Sequence, residues 1–492
     1  MNQKLKFAKV GLFGIGLAAY WPQFKGLKAR LQNYQSIVAG RLGEFCEIID
    51  AGLVDSAPRA VEAGQLFASE GVELVVCYVA TYATSSQVLP VVQKCRAPVL
   101  ILNLQPASAL NYAQTSTGEW LANCCACCVP EIACAFARSR VDFHIVTGVL
   151  GVERGRFGET PPTHPEAQRA WTEIRNWVRA ASATGRLAGS RLGFLGHTYP
   201  GMLDMYSDFT QHTAQLGTHI EVLELCDLAK RLPAESSDAV KAKLREVKEI
   251  FDISQDSPSD PLARAPVPEQ MSWACRVAVA LDRLAADFDL QGLAYYYRGL
   301  DGNEFERLAA GLILGCSLLT ARGIPCSGEG DLKNCQAMKI MDLLGCGGSY
   351  TEFYAMDFDE DFLLMGHDGP FHLAIAEGRP ILRGLGLYHG KRGAGVSVEA
   401  RVKLGPVTLL AMTQTADGKL KLLAAQGESI AGPTLQIGNT NSRIHFAGGM
   451  RNFVDRWCRE APTHHCALGV GSVLPVLRNL ASLLKLPFVE VQ

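Results

Sequence analysis

The period of hydrophobic and polar positions changes along the chain. Up to about residue 345, short apolar runs such as "VELVVCYVA" (72–80) alternate with longer stretches of helical period. This alternation predicts parallel sheets covered by helices. Beyond that point, the stretch 396–427 alternates with period two on either side of Asp417-Gly418, a hairpin signal. Residues 470–486 return to a helical period.

The order of these patterns predicts the architecture. We expect an α/β protein with two doubly wound parallel-sheet domains followed by a β-rich C-terminal domain. The second α/β run begins with new strands near residue 190, and its sequence does not repeat the first. We place an N-terminal α/β domain at 1–165, a central α/β domain at 166–345 and the β-rich domain at 346–492.

Composition narrows the classes of function. The chain has 492 residues, of which 48% are hydrophobic and 20% charged, as in well-buried soluble proteins. Its net charge is −2 and no basic stripe stands out, so nucleic acid is not expected as a partner. No stretch approaches 18 uncharged apolar residues, so we expect no membrane partner.

The 16 cysteines indicate a reducing compartment, because so many irregularly spaced thiols would mispair in an oxidising one. We therefore predict a cytoplasmic location. Cys124 and Cys127 form a C-x-x-C pair, but no second pair follows at zinc-ribbon spacing. The sequence favours buried thiols over a zinc site.

A glycine pattern follows the first predicted strand. Gly14, Gly16 and Ala19 match G-x-G-x-x-A, the dinucleotide fingerprint, and motivate an NAD-linked sugar oxidoreductase as one alternative. Pro22 falls where the phosphate-binding helix should already be running, and Asp50 lies too far along for the ribose acid. The other interpretation is a ligand-binding loop after the strand.

Polar residues stand in apolar surroundings beyond residue 320. Glu329 lies in "SGEGD", Glu352 in "GGSYTEFYAMDF", His367 in "LLMGHDGPFH", and His464 and His465 in "APTHHCALGVG". Carboxylates together with imidazoles suit a divalent ion of the Mn²⁺ or Co²⁺ type, whereas Mg²⁺ prefers more oxygen ligands. A metal site is therefore one interpretation of these segments.

Structural explanations compete with a metal site. Asp331 is a natural N-cap for the helix that follows it, which leaves Glu329 unexplained. Glu352 could face solvent from a strand, and His367 could belong to a tight turn. Spacing alone leaves these alternatives open.

The segments that contain Glu352, His367 and His465 resemble blocks of the L-arabinose isomerase family, which is related to the L-fucose isomerases. The stretches "GIPCSGEGDLKNCQAMKIM", around Glu329, and "VGLFGIGLAAYWPQF", near the N-terminus, resemble further blocks of that family. The resemblance implies a Mn²⁺-dependent aldose–ketose isomerase that transfers a proton through an enediol, with Co²⁺ or Mg²⁺ as alternative ions. It places metal ligands at Glu329, Glu352, His367 and His465, with both glutamates also acting as the acid/base pair. It also implies a homo-oligomer, trimer or hexamer, with the active site at a subunit interface.

The candidate substrate residues are Tyr20, Trp21, Gln23, Asn103 and His464. The family carries glutamine where this chain has Leu17 and histidine where it has Asn103, so the identity of the sugar stays open. A non-catalytic sugar-binding protein is a further alternative, because two α/β lobes around a cleft also suit ligand capture.

Overall fold

The computed structural model describes residues 8–492, apart from 154, 156, 258, 299–301, 386, 389–390 and 393–394. At 385, 387–388 and 391–392 it describes the backbone alone. The chain forms two compact units, Met1–Gly185 and Arg186–Gln492. The three predicted domain boundaries stay a prediction.

The first unit is built on a parallel sheet in which the strand order is β2-β1-β3-β4-β5. Its strands are β1 Lys9–Ile15, β2 Glu47–Val54, β3 Leu74–Tyr78, β4 Val99–Gln105 and β5 Phe143–Val149. Its helices are α1 Leu27–Gly43, α2 Ala57–Glu70, α3 Leu89–Lys94, α4 Thr117–Ala122 and α5 Val129–Arg138, and α6 Pro165–Ala188 runs across the boundary. β3 is buried at every position, which explains its uninterrupted apolar sequence.

The strand order of this sheet reverses between β1 and β3, and ligands bind at such reversals in open α/β sheets. The loop after β1 begins there. It forms a short 3₁₀ turn at Ala18–Tyr20, and α1 starts only at Leu27.

The second unit begins with the strands β6 Arg191–Gly196, β7 His219–Leu223, β8 Asp252–Ile253, β9 Ala263–Arg264, β10 Gly292–Tyr296 and β11 Cys326–Ser327. Its helices are α7 Phe209–Leu216, α8 Leu225–Ala229, α9 Asp238–Ile250, α10 Pro268–Asp287, α11 Glu304–Ala310, α12 Leu312–Ala321, α13 Leu332–Leu343, α14 Met450–Arg459 and α15 Leu474–Leu484. A second parallel sheet has the order β11-β10-β6-β7. Two α/β sheets are thus present, as predicted.

The remaining strands are β12 Gly347–Asp357, β13 Phe362–His367, β14 Ile381–Leu385, β15 Leu387–Tyr388, β16 Lys391–Arg392, β17 Val396–Glu399, β18 Gly405–Gln414, β19 Leu420–Ile430, β20 Thr440–His445, β21 His465–Val470 and β22 Phe488–Val491. The main sheet has the order β18-β21-β12-β13-β20-β19-β22, and β18 also pairs with β19. This extra antiparallel pairing closes six of the strands into a barrel-like ring. The predicted β-rich C-terminal region is confirmed, with the β18–β19 hairpin turning at Gly418.

The barrel shares a core with the helices of its unit. Leu409 and Leu423 from the barrel belong to the same buried cluster as Ala278 of α10 and Leu314 of α12. The barrel strands are therefore packed against helices of the same unit that contains the second parallel sheet. Within the described part of the chain, no helix is both long and apolar enough to span a membrane.

Candidate metal centre

Glu329 lies in a 3₁₀ turn, Gly328–Gly330, between the end of β11 and the start of α13. Its φ is +59°, a left-handed conformation that non-glycine residues seldom adopt. Its backbone carbonyl accepts a hydrogen bond from the amide of Tyr199, in the loop after β6. The carboxylate oxygen Oε2 is buried and has no hydrogen-bond partner among the described residues. Strain and an unpaired buried oxygen together indicate a functional position.

Pairing of barrel strands brings three of the other predicted ligands together. Glu352 of β12 lies opposite His465 of β21 on one side and Gly366 of β13 on the other. His367 follows at the end of β13, and its Nε2 is 3.9 Å from Oε1 of Glu352. The ring centroids of His367 and His465 are 5.1 Å apart. Antiparallel register therefore assembles side chains that lie more than a hundred residues apart in sequence.

His465 is fully buried and held by hydrogen bonds at both ring nitrogens. Its Nδ1 is 3.0 Å from Oδ2 of Asp331. Because an ionised carboxylate only accepts hydrogen bonds, Nδ1 carries the proton and Nε2 keeps a lone pair. The hydroxyl of Tyr350 donates to Nε2 at 2.8 Å, and Oε2 of Glu329 is 3.7 Å from the same nitrogen. The Nε2 lone pair thus accepts from Tyr350, with the carboxylate of Glu329 beside it.

Asp331 joins this centre to α13. Its Oδ1 accepts from the backbone amide of Asn334, the N-cap predicted from sequence, while Oδ2 binds His465. Burial by itself would raise the pKa of Asp331, but the hydrogen bond and charge of His465, with nearby Lys333, hold it below its ordinary value. The carboxylate therefore stays ionised and fixes the orientation of the imidazole.

His367 is also buried and has a carboxylate at Nδ1. Oδ1 of Asp368 lies 2.9 Å from that nitrogen, and the amide of Gly369 approaches it at 3.0 Å. The charged carboxylate is the stronger partner, which favours a proton on Nδ1, and Nε2 faces Glu352. Burial lowers the pKa of His367, but Asp368, Glu352 and Glu329 outweigh it and raise the pKa above its ordinary value.

His464 is partly exposed and pairs with Asp204. Oδ2 of Asp204 accepts from both the ring Nδ1, at 2.7 Å, and the backbone amide of His464. Its Nε2 is 3.8 Å from Oε2 of Glu329. Burial would lower the pKa of His464, but these two carboxylates raise it to about 10. The ring is then protonated at neutral pH and offers no lone pair to a metal ion.

The charge of Glu329 follows from this neighbourhood. Burial would raise the pKa of Glu329, but the imidazoles of His464, His465 and His367 lower it below its ordinary value. The pKa of His465, in turn, is lowered by burial and by its two neighbouring imidazoles, against the effect of Asp331. A negative carboxylate thus lies beside a neutral imidazole whose Nε2 accepts from Tyr350.

Two groups of side chains in the described part of the chain could hold a metal ion. The possible ligand atoms of Glu352, His367 and His465 lie within 4.8 Å of one another, and so do those of Glu329, His464 and His465. His465 belongs to both groups, so they are adjacent. Across the two groups, the possible ligands other than His464 are two carboxylates and two imidazoles, residue types that suit Mn²⁺ or Co²⁺.

The predicted substrate residues of the first unit have partners of their own. The indole of Trp21 donates to Asp55 at 2.8 Å, and the amide of Gln23 donates to the carbonyl of Ala19. The amide of Asn103, which is nearly buried, donates to Thr147. Tyr20 packs edge-on against Phe24. Leu17 and Tyr20 are half-buried, and Gln23 is exposed.

The glycines of the dinucleotide pattern lie against side chains of the protein itself. A Cβ on Gly14 would lie 2.3 Å from Oε1 of Gln35, and one on Gly16 would lie 2.8 Å from the ring of Trp21. No α-helix begins directly after Gly16, because a 3₁₀ turn occupies Ala18–Tyr20 and α1 starts only at Leu27. The close approaches that a pyrophosphate would need are therefore taken by side chains of the protein, which weighs against the NAD alternative.

Sequence reasoning missed several residues of the centre. These are Tyr350, Asp368, Asp204 and the second role of Asp331. Tyr350 is buried, with its ring centroid 3.9 Å from that of His367 and 4.6 Å from that of His465. Its position two residues before Glu352 in β12, hence on the same face of the strand, was the available signal.

Comparison with known proteins finds similarity to L-arabinose isomerases. No family model matches it. It is 23% identical over 418 residues to the L-arabinose isomerase of Nocardioides sp., a match covering 83% of this chain and 78% of that protein. Matches to the L-arabinose isomerases of Aeromonas salmonicida (19% identity, 67% of this chain, 65% of that protein) and Geobacillus thermodenitrificans (23%, 47% and 46%) span less than two thirds of those proteins. The chain is therefore a divergent relative of L-arabinose isomerases, similar to them at low identity.

Proposed function

We propose that this protein is a metal-dependent aldose–ketose isomerase. The observation that carries the proposal is the meeting of Glu329, Glu352, His367 and His465 from separate segments of the second unit, in a chain related to L-arabinose isomerases. A buried carboxylate oxygen of Glu329 has no hydrogen-bond partner among the described residues, and it lies 3.7 Å from Nε2 of His465. Uncompensated polar atoms of this kind cost free energy unless something binds them.

The four side chains are the proposed ligands, with Mn²⁺ as the preferred ion and Co²⁺ or Mg²⁺ as alternatives. Asp331 and Asp368 each bind Nδ1 of an imidazole, which leaves the Nε2 atoms on the side of the two glutamates. Carboxylates that accept from the second nitrogen of a ligating histidine orient the ring and raise its basicity.

Isomerisation moves a proton between C1 and C2 of the sugar through an enediol. A divalent cation, when bound, supplies the polarisation of the hydroxy-carbonyl unit that makes this proton acidic. Glu329 and Glu352 act as the acid/base pair, and the lowered pKa of Glu329 keeps it in the basic form at neutral pH. His464, protonated and 3.8 Å from Glu329, stands at the exposed side of the centre and donates hydrogen bonds to sugar oxygens.

The substrate is a free aldose or ketose of the L-arabinose or L-fucose type. Leu17 and Asn103 depart from the glutamine and histidine of the family pattern, so which sugar is converted stays open. Tyr20, Trp21 and Gln23 are proposed to line the sugar site. A trimer or hexamer with the site at a subunit interface stays a prediction from the resemblance.

The test is direct. The protein is incubated with Mn²⁺ and a panel of pentoses, hexoses and deoxysugars, and ketose formation is followed. We expect at least one sugar to be converted, and Glu329→Gln to lower kcat by at least about 10³-fold while the circular dichroism spectrum stays unchanged. Glu360→Gln, at an exposed glutamate outside the centre, is the matched control and should keep full activity.

Two results would contradict the proposal. No ketose from any sugar, with Mn²⁺ shown to be bound, would rule against isomerase activity. Full activity of Glu329→Gln would leave the reaction class standing but would overturn the acid/base assignment.

A further inference from the structure

Cysteines are concentrated between α4 and α5 of the first unit, at 124, 125, 127 and 128. Cys125 and Cys128 are buried, and their thiols donate to the backbone carbonyls of Leu104 and Thr81. Both are thus held in the core. Cys124 and Cys127 differ, because their sulfur atoms lie 2.6 Å apart, closer than a van der Waals contact. The fold pairs these two thiols and keeps the other two apart from them.

The pair is accessible from one side. Cys127 is exposed, whereas Cys124 is buried behind it. A 3₁₀ turn at Ala126–Cys128 shortens the distance between the two positions, and α5 follows directly at Val129. An exposed thiol backed by a second thiol is the arrangement that permits attack on an external disulfide followed by internal closure.

We propose that Cys124 and Cys127 form a reversible intrachain disulfide by exchange with a small-molecule disulfide such as glutathione disulfide. The Cys127 thiolate attacks one sulfur of glutathione disulfide, the S–S bond breaks, and glutathione thiolate leaves. The Cys124 thiolate then attacks the Cys127 sulfur of the mixed disulfide and releases the second glutathione. The two protein thiols lose two protons and two electrons, and glutathione disulfide is reduced to two glutathione thiols.

The surroundings of Cys124 explain why Cys127 attacks first and Cys124 second. Burial, followed by the nearby Cys127 thiol, raises the pKa of Cys124 to about 12. Cys124 is therefore a poor first attacker. Once Cys127 is bonded to glutathione, its influence on the pKa of Cys124 is removed and the closing step becomes easier. In a reducing compartment the pair stays as thiols, so the bond forms only when the supply of disulfide rises.

Mass spectrometry tests the proposal on the whole chain. The protein is incubated with glutathione disulfide, unfolded, treated with iodoacetamide and digested with trypsin. The peptide 97–138 contains five cysteines, namely Cys124, Cys125, Cys127, Cys128 and Cys134. We expect it to carry three alkyl groups, with fragmentation placing the unmodified pair at 124 and 127, and to carry five after dithiothreitol.

Variants separate this pair from its neighbours. Cys127→Ser should leave the four remaining cysteines of the peptide alkylated. Cys124→Ser should stop at the mixed disulfide, with one glutathione on Cys127 and the other three cysteines alkylated. Cys134→Ser, at another exposed cysteine, should leave disulfide formation unchanged. In the wild-type peptide, five alkyl groups, a stable glutathione adduct on Cys127, or a bond between any other two cysteines would overturn the proposal. The test does not depend on isomerase activity.

Discussion

At the scale of single residues, the two carboxylate oxygens of Asp331 make two different interactions. Oδ1 caps α13 through Asn334, and Oδ2 accepts from Nδ1 of His465. The Asp331 side chain that makes both hydrogen bonds is fully buried. The cap is a local feature of the sequence, whereas the contact with His465 joins residues 134 positions apart.

Asp331→Asn should separate these two interactions. An amide can still cap the helix through its oxygen, but its NH₂ group then faces Nδ1 of His465 and favours the tautomer with the proton on Nε2. We expect Mn²⁺ affinity to fall about 10–100-fold, measured by isothermal titration calorimetry. Asp342→Asn, on the same helix but near Lys339 instead, is the control. Equal affinities in the two variants would show that Asp331 does not orient the ligand.

Burial of His212 should make the free energy of unfolding depend on pH. It is buried in α7, and burial, assisted by the charge of Lys333, lowers its pKa from 6.5 to about 4. The unfolded chain binds a proton near pH 6.5, so the contribution of neutral His212 is complete above that pH and is lost between pH 6.5 and 4. The loss amounts to about 3 kcal/mol in the free energy of unfolding.

Urea denaturation at pH 7 and pH 4 measures this effect. His212→Gln should reduce the difference between the two free energies of unfolding by up to about 3 kcal/mol. His219→Gln, at an exposed histidine in β7, should leave the difference as in the wild type. An unchanged pH dependence in His212→Gln would mean that the folded protein accommodates the charged ring.

At the scale of elements, the turn that carries Glu329 is held by the loop after β6. Tyr199 donates to the carbonyl of Glu329, and Thr198 donates to that of Gly330. Gly330 has φ +69°, and a Cβ there would lie 2.4 Å from the carbonyl oxygen of His197. The loop and the turn are therefore packed backbone against backbone, which accounts for the glycine after Glu329.

Gly330→Ala should force these two segments apart. We expect a loss of about 3 kcal/mol in the free energy of unfolding, from overpacking added to the left-handed strain, together with weaker Mn²⁺ binding. Gly201→Ala in the same loop is the matched control, because φ is +97° there but nothing lies within 4 Å of the new Cβ. It should cost about 1 kcal/mol and leave metal binding unchanged. Similar effects of the two substitutions would show that strain alone matters.

At the scale of the whole molecule, the proposed ligands all belong to the second unit, in the barrel and at the end of β11. A ligand that binds only the folded state stabilises the segments that hold it by about 2.7 kcal/mol at a hundred times its dissociation constant. The metal should therefore act selectively on this unit.

Hydrogen exchange with mass spectrometry measures that selectivity. Mn²⁺ should slow exchange in peptides covering β12, β13, β21 and the Glu329 turn, and EDTA should reverse the effect. Peptides of the first parallel sheet, β1 to β5, serve as the internal reference and should change little. Protection restricted to the first unit would contradict the assignment of the ligands.

Much of the architecture follows from local patterns. β3, with its apolar run, and the alternating strands β18 and β19 adopt the structures that their periods predict. Whether a strand is buried on one face or on both determines which of its successive residues are apolar, so the pattern can be seen in the local sequence. The turn at Asp417-Gly418 and the cap at Asp331 are likewise local. Glycine and aspartate act through their own backbone geometry or immediate neighbours, so a sequence alone predicts them.

The sequence by itself determined the strand and helix pattern, the residue types of the candidate centre and, through resemblance, their proposed roles. Only the tertiary structure decided that Asp331 binds His465, that His464 is engaged by Asp204, and that Cys124 meets Cys127 while Cys125 and Cys128 do not. The physical reason is that tautomers and pKa values depend on charges a few ångströms away. Strand register and loop packing bring those charges together from distant parts of the chain.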